Sequence, residues 1–141
     1  MSEIAGFLRA RYAEQRALAE AATPGPWEGV IDRHQRGVVD ASVWSDKLGY
    51  YIAEQISSGD RHEADARHIA AHDPAAVIAD LDAKLALVDL LKYQLGWNAS
   101  HDRNITEHEI RAMQQAAREA LRILAQPFAG HPDHGGEGWV P

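Results

Sequence analysis

The 141 residues contain no cysteine, which excludes disulfide staples and thiolate chemistry and fits a reducing compartment. Positive charge is scarce. Fourteen Lys and Arg stand against 21 Asp and Glu, leaving a net charge of −7. That balance excludes a nucleic-acid binder that works by neutralising phosphates. No apolar run approaches the roughly 20 residues needed to span a bilayer. The opening MSEIAGFLRARYAEQ is charged too early and too evenly for a signal peptide, so a cytoplasmic protein is expected. G-x-S-x-G, a phosphate-cradling glycine loop and the dinucleotide fingerprint are all missing. There is no internal repeat and no low-complexity linker.

What remains is ordinary globular composition, with 45% hydrophobic and 25% charged residues. The length fits one domain with a real core, expected over residues 1–126, followed by a polar, glycine-rich tail at 127–141 that folds back on it. Residues 2–22 read as an amphipathic helix that Ser2 can cap. Ile4, Phe7, Leu8, Tyr12, Leu18, Ala19 and Ala22 mark its buried side, and Arg9, Arg11, Glu14 and Arg16 its wet side. Thr23-Pro24-Gly25-Pro26 ends that helix, since two prolines and a glycine cannot continue it. Periodicity then shifts towards two, in short β-branched and aromatic segments at 27–31, 38–44 and 50–56, with Gly37 and Gly49 at the turns. The fold class predicted is therefore α+β, about four helices with a small three-stranded antiparallel meander.

The chain is organised around residues 65–91, DARHIAAHDPAAVIADLDAKLALVDLL. Proline disfavours the helical region for the residue before it, so a short helix from about 61 should end near His72. Asp73 can cap the next helix and Pro74 suits its first position. Ile78, Leu81, Leu85, Val88 and Leu95 form one wide stripe along a pillar helix, closed by Gly96 as a left-handed cap. Thr106 and Glu109 form a capping box for a last helix over about 107–125, which should pack antiparallel to the pillar. Leu81, Leu85, Val88, Leu91 and Leu121 are the expected core. Leu87 and Leu90 widen the pillar's stripe beyond what one partner helix covers, which calls for the N-terminal helix or, the favoured option, a second subunit in a homodimer.

TPGPW (23–27), DARHIAAHDPAAVIADLDAK (65–84) and LAQPFAGHPDH (124–134) stand in the order seen in an uncharacterised family of small proteins from actinobacteria and their phages, which this chain resembles. The likeness covers most of the chain, less so 28–60 and 96–110. It implies no activity and no catalytic residue. What it implies is a source, and that the His-Asp-Pro corner and the His-Pro-Asp tail are family features.

One candidate site follows from the histidines. His68 and His72 lie four apart on one helix face, with Asp65 three residues before His68. The tail adds His131, Asp133 and His134. Imidazole and carboxylate donors of this kind suit Zn²⁺, Mn²⁺ or Fe²⁺. The pattern is not H-E-x-x-H, however, and His72 alone is explained as a helix-ending imidazole at the negative end of the dipole. Asp133 can equally tether the tail by pairing an arginine or histidine. The tail is expected to return to the corner, with His131 and Asp133 near His68 or His72, as a hydrogen-bonded latch rather than a metal centre. Asp80, Asp82 and Asp89 are the pillar's wet face. Three function classes result: a non-catalytic protein-binding or regulatory module engaging a host or self protein, with no cofactor; a Zn- or Mn-dependent hydrolase using His68 and His72; and a structural homo-oligomer. Neither nucleic acid nor a membrane is an expected partner.

Overall fold

In a computed structural model, which describes residues 2–33, 39–56, 60–98, 100 and 104–141, the elements run α1 (Ser2–Ala21), β1 (Trp27–Arg33), β2 (Val39–Ser45), β3 (Tyr50–Ala53), α2 (His62–Ala71), α3 (Pro74–Leu95) and α4 (Glu107–Ala125). Two 3-10 turns follow, Gln126–Phe128 and Gly136–Trp139. The described residues thus form four helices and one antiparallel sheet of order β1-β2-β3, an α+β fold. No described helix is long and apolar enough to cross a membrane. The chain divides into two compact units, Met1–Glu14 with Asp82–Pro141, and Gln15–Leu81. Helices α1 and α3 each contribute to both.

The second unit is built on the sheet. Alternation along β2 buries Ala41, Val43 and Ser45 on one face, because successive strand residues point to opposite sides. Ala66 of α2 completes that core, with Trp27, Ile31, Ile52, Ile56 and Ile69 packed around it. Gly29 lets α2 approach closely, since a Cβ there would stand 3.2 Å from the Ala66 carbonyl carbon. The proline-rich turn is pinned by hydrogen bonds. Trp27 Nε1 donates to Thr23 O at 2.8 Å, and the buried Ser45 hydroxyl donates to Pro24 O at 2.9 Å. The Gly25–Pro26 peptide is cis. Gly49, at φ +68°, turns the chain between β2 and β3 as its type requires. The turn ascribed to Gly37 and the cap ascribed to Ser2 lie outside the described residues and side chains. β1 extends past the expected Ile31 to Arg33, pairing Asp32 with Asp40 and Arg33 with Val39. β3 stops short of Ile56, because a register shift lies between Val43 and Trp44 and Gln55 turns to φ +52°. Ile56 nevertheless returns its N–H to Ala41 O at 2.9 Å.

The first unit buries Ile4, Phe7, Leu8 and Tyr12 of α1, Val88 and Leu91 of α3, and Ile110, Ala117, Leu121 and Ala125 of α4. The capping box starts α4 as its sequence dictates. Thr106 Oγ1 accepts the Glu109 N–H, and Glu109 Oε2 accepts the Thr106 N–H at 2.8 Å. Those bonds hold the Glu109 carboxyl below its ordinary range. Gln114 reaches back and donates to Trp97 O at 2.9 Å, tying α4 to the residue just past the end of α3.

Four expectations are corrected. Leu81, Val88, Leu91 and Leu121 are buried, but Leu85 is only half-buried. At about 100° per residue, the line through Leu81, Val88 and Leu91 runs to the opposite side of Leu81 from Leu85, which becomes a shoulder. Leu18 is 73% exposed; it shares an azimuth with Phe7 and Arg11, which the tail covers at the other end of α1. Gly96 is not left-handed, and its N–H simply closes the helix onto Tyr93 O at 3.1 Å. Arg11, assigned to the wet face, is 8% exposed.

Candidate functional site

The corner forms as the His-Asp-Pro order requires. α2 ends at His72, whose N–H reaches Ile69 O at 3.0 Å and whose Nδ1 donates to His68 O at 2.7 Å. The imidazole thus satisfies a carbonyl that the helix end would leave unpaired. Asp73 Oδ1 accepts the Ala76 N–H at 2.7 Å and caps α3, with Pro74 in its first position. The same carboxylate faces the proline-rich turn: a Cβ built on Gly25 would stand 2.5 Å from Asp73 Oδ2. Two sequence signatures nearly fifty residues apart are therefore one packed contact. Glycine at 25 is what lets the capping carboxylate sit there.

The His68 and His72 rings lie with centroids 4.5 Å apart on the exposed side of α2. A depression of about 340 Å³ opens beside His72, lined by Ala71, Ala76, Val77 and Asp80. Asp65 lies half-buried on α2 and has an interaction of its own within the chain. Among the described residues, no group of three or more His, Cys, Asp or Glu side chains is placed to hold a metal ion.

His131 and Asp133 lie in the other unit, where they meet Arg11. Arg11 Nη1 lies 2.9 Å from His131 Nδ1 and also against its Nε2. Arg11 Nη2 donates to Glu14 Oε1 at 2.7 Å, and Asp133 Oδ2 stands 3.8 Å from Nη1. His131 Nδ1 accepts the Asp133 N–H at 3.1 Å, which folds the His-Pro-Asp turn onto its own imidazole. Around Arg11 the rings close in: Phe7 packs edge-on against Phe128, His131, His134 and Trp139, with centroids 5.1–5.9 Å away. Gln126 Nε2 ties Trp139 O to the end of α4 at 2.9 Å. The latch expected onto His68 or His72 is, in the described contacts, a latch onto Arg11 of α1. The signal for Arg11 was present, since it follows Ile4 and Leu8 at i+7 and i+3, but its charge argued for solvent.

A surface of a different kind lies on α3. Ala83, Ala86, Leu87, Leu90 and Tyr93 are all exposed, Leu87 at 41%, Leu90 at 51% and Tyr93 at 59%. The steps 83-86-90-93 are three, four and three, the spacing of a seam that meets another helix. At about 100° per residue, this seam stands opposite the buried line of Val88 and Leu91. Asp82 and Asp89 border it on one side and Lys84 on the other, with Asp89 paired to Arg9. A helix apolar on both faces is normally covered on both; here one face is open.

The model of a family of unknown function (DUF6221) matches residues 1–141. No curated protein and no solved structure matches the chain.

Proposed function

We propose that this chain, which belongs to that family of unknown function, is a non-catalytic protein-binding module that takes a helix of another protein along the α3 seam. The observation that carries the reading is the open apolar line Ala83-Ala86-Leu87-Leu90-Tyr93 on a helix whose opposite face is already buried. Its three turns, about 16 Å long, match the helix-in-groove mode, in which anchors repeat at three and four residues. A helix of a different protein suits it better than a second copy, because each copy carries a net charge of −7 and like charges oppose association. The resemblance to actinobacterial and phage proteins makes an accessory, regulatory role in such a cell the natural setting.

The test is a double variant, Leu87→Ser with Leu90→Ser. Both side chains are exposed, so stability should change by no more than about 1 kcal/mol in total. Retention of the partner by the full chain should fall more than tenfold, the loss expected when two apolar anchors leave an interface. Unchanged retention in a folded variant would refute the reading. A wild-type mass of twice 15.5 kDa by light scattering, absent in the variant, would replace the foreign helix with a second copy.

A further inference from the structure

The tail that ends the first unit is folded by two histidines used in the same way. His131 Nδ1 accepts the Asp133 N–H and His134 Nδ1 accepts the Gly136 N–H, each at 3.1 Å. A ring nitrogen that accepts must carry its lone pair, so both bonds need a neutral imidazole. The surroundings favour the same state. Arg11 Nη1 lies against both ring nitrogens of His131. A guanidinium has donors only and keeps its charge. An imidazolium at His131 would therefore set donor against donor and cation against cation. His134 is half-buried and packs edge-on against Phe7 and Trp139, with centroids 5.8 and 5.0 Å away. Its Nε2 is buried with no hydrogen-bond partner among the described residues. A charge on that ring would stand in an apolar setting with nothing to satisfy it.

Few other charged groups face the pair. α1 supplies Arg11 and, bonded to its other terminal nitrogen, Glu14. The tail supplies Asp133, whose carboxylate stands 3.9 Å from His131 Nδ1 and 3.8 Å from Arg11 Nη1. Both carboxylates are more than half exposed, at 59% for Glu14 and 72% for Asp133, whereas the Arg11 side chain is 10% exposed. Water screens the two acids and leaves the buried cation to dominate. Glu137 is exposed and meets neither ring among the described contacts. The contacts described from α4 and the turn after it are uncharged, the Gln126 amide on Trp139 O and the Phe128 ring on Phe7.

We propose that the tail is a pH-sensitive latch, closed on α1 while His131 and His134 are neutral and released when they take protons. Once released, both rings are hydrated and clear of Arg11, so protons bind the open tail in preference to the closed one. By linkage the latch holds above the ordinary imidazole range and lets go as pH falls through it, at about pH 6–7. Release uncovers the Phe7 ring and the Arg11 guanidinium, which the tail covers when closed. The device is independent of the α3 seam and uses none of its residues.

The experiment follows the full chain by NMR from about pH 7.5 to about pH 5.5, a window that spans the imidazole range and lies above that of the carboxylates. Imidazole nitrogen shifts read the charge on His131 and His134, and backbone order parameters read the tail. At the upper pH both rings should be neutral with Nδ1 unprotonated, and residues 129–139 should be as rigid as α4, near about 0.85. At the lower pH both rings should be charged. The order parameters of that segment should then fall below about 0.6 in the same step, while those of α4 stay unchanged. His131→Asn with His134→Asn leaves at each position a side-chain acceptor that cannot take a proton, and its tail should be equally rigid at both pH values. The natural chain decides without any variant. A tail that stays rigid with both rings charged, one that loosens before they titrate, or loosening of α4 along with it would each overturn the proposal. So would a double variant whose tail loosens over the same pH range as the natural one.

Discussion

Substituting Gly25 by alanine should destabilise the protein through a residue far away in sequence. A Cβ at position 25 would stand 2.5 Å from Asp73 Oδ2, 3.0 Å from its Cγ and 3.3 Å from its Cβ. Contacts under 3 Å force something to move, and Asp73 is short and already engaged, its Oδ1 accepting the Ala76 N–H at 2.7 Å. Swinging the carboxylate away gives up the cap, at about 1 kcal/mol, and keeping it costs an overpacking strain of about 1–3 kcal/mol. Alanine offsets about 0.5 kcal/mol by restricting the unfolded chain. Gly25→Ala should therefore cost about 1–2 kcal/mol, a drop of roughly 3–8 °C in melting temperature for a chain of this length. The cycle with Asp73→Ala isolates the cause. Asp73→Ala alone should cost about 1 kcal/mol as a lost cap. Once the carboxylate is gone, the alanine at 25 meets only the Cβ of position 73, at 3.3 Å, which a small shift relieves, so the double variant should cost little more than Asp73→Ala. Denaturant unfolding of the four proteins reads the coupling directly. Additive costs would refute the claim that the proline-rich turn and the His-Asp-Pro corner are one contact.

Arg11→Ala removes the cation that Glu14, His131 and Phe7 surround, and it should cost about 2–3 kcal/mol because hydrogen bonds to a charged group are lost in a buried setting; limited proteolysis should then cut the tail after residue 126 well before global unfolding. Leu121→Ala should cost about 2–5 kcal/mol as a cavity in the core, while Leu90→Ala, on the open seam, should stay within about 0.5 kcal/mol by the same denaturant titration. Glu109 is held below its ordinary pKa by Thr106, so the stability it contributes is complete above the ordinary carboxylate range and is lost as pH falls through the lowered folded value. Glu109→Gln keeps a capping-box acceptor without a titrating proton, and should remove that part of the acid dependence measured by denaturation at a series of pH values.

Much of this architecture was legible because local chemistry and burial agreed. The capping box at Thr106, the corner at Asp73-Pro74 and the turn at Gly49 each need a particular residue type, and each is found where that chemistry puts it. What was not legible came from long-range geometry. Leu85 and Leu18 both belong to apolar stripes, yet a stripe does not say how far its cover extends. Arg11 sat at a core spacing, and charge outweighed position. The partner of the His-Pro-Asp turn is an arginine 120 residues away, which no local pattern encodes. The seam on α3 was half visible, since Leu87 and Leu90 stood out as excess apolar width, but Tyr93 and the two alanines join it only once the buried side of the helix is known.

The most direct test of the protein-binding reading is photo-crosslinking in the cells that make the protein, with a benzophenone side chain placed at position 90 and, as a control, at the exposed Glu107. The account predicts a discrete adduct from position 90, absent from the control and abolished when Leu87 is also changed to serine. Mass spectrometry should place its other end within an amphipathic helix of one other protein. No adduct from position 90, equal labelling from both positions, or an adduct joining only two copies of this chain would contradict it.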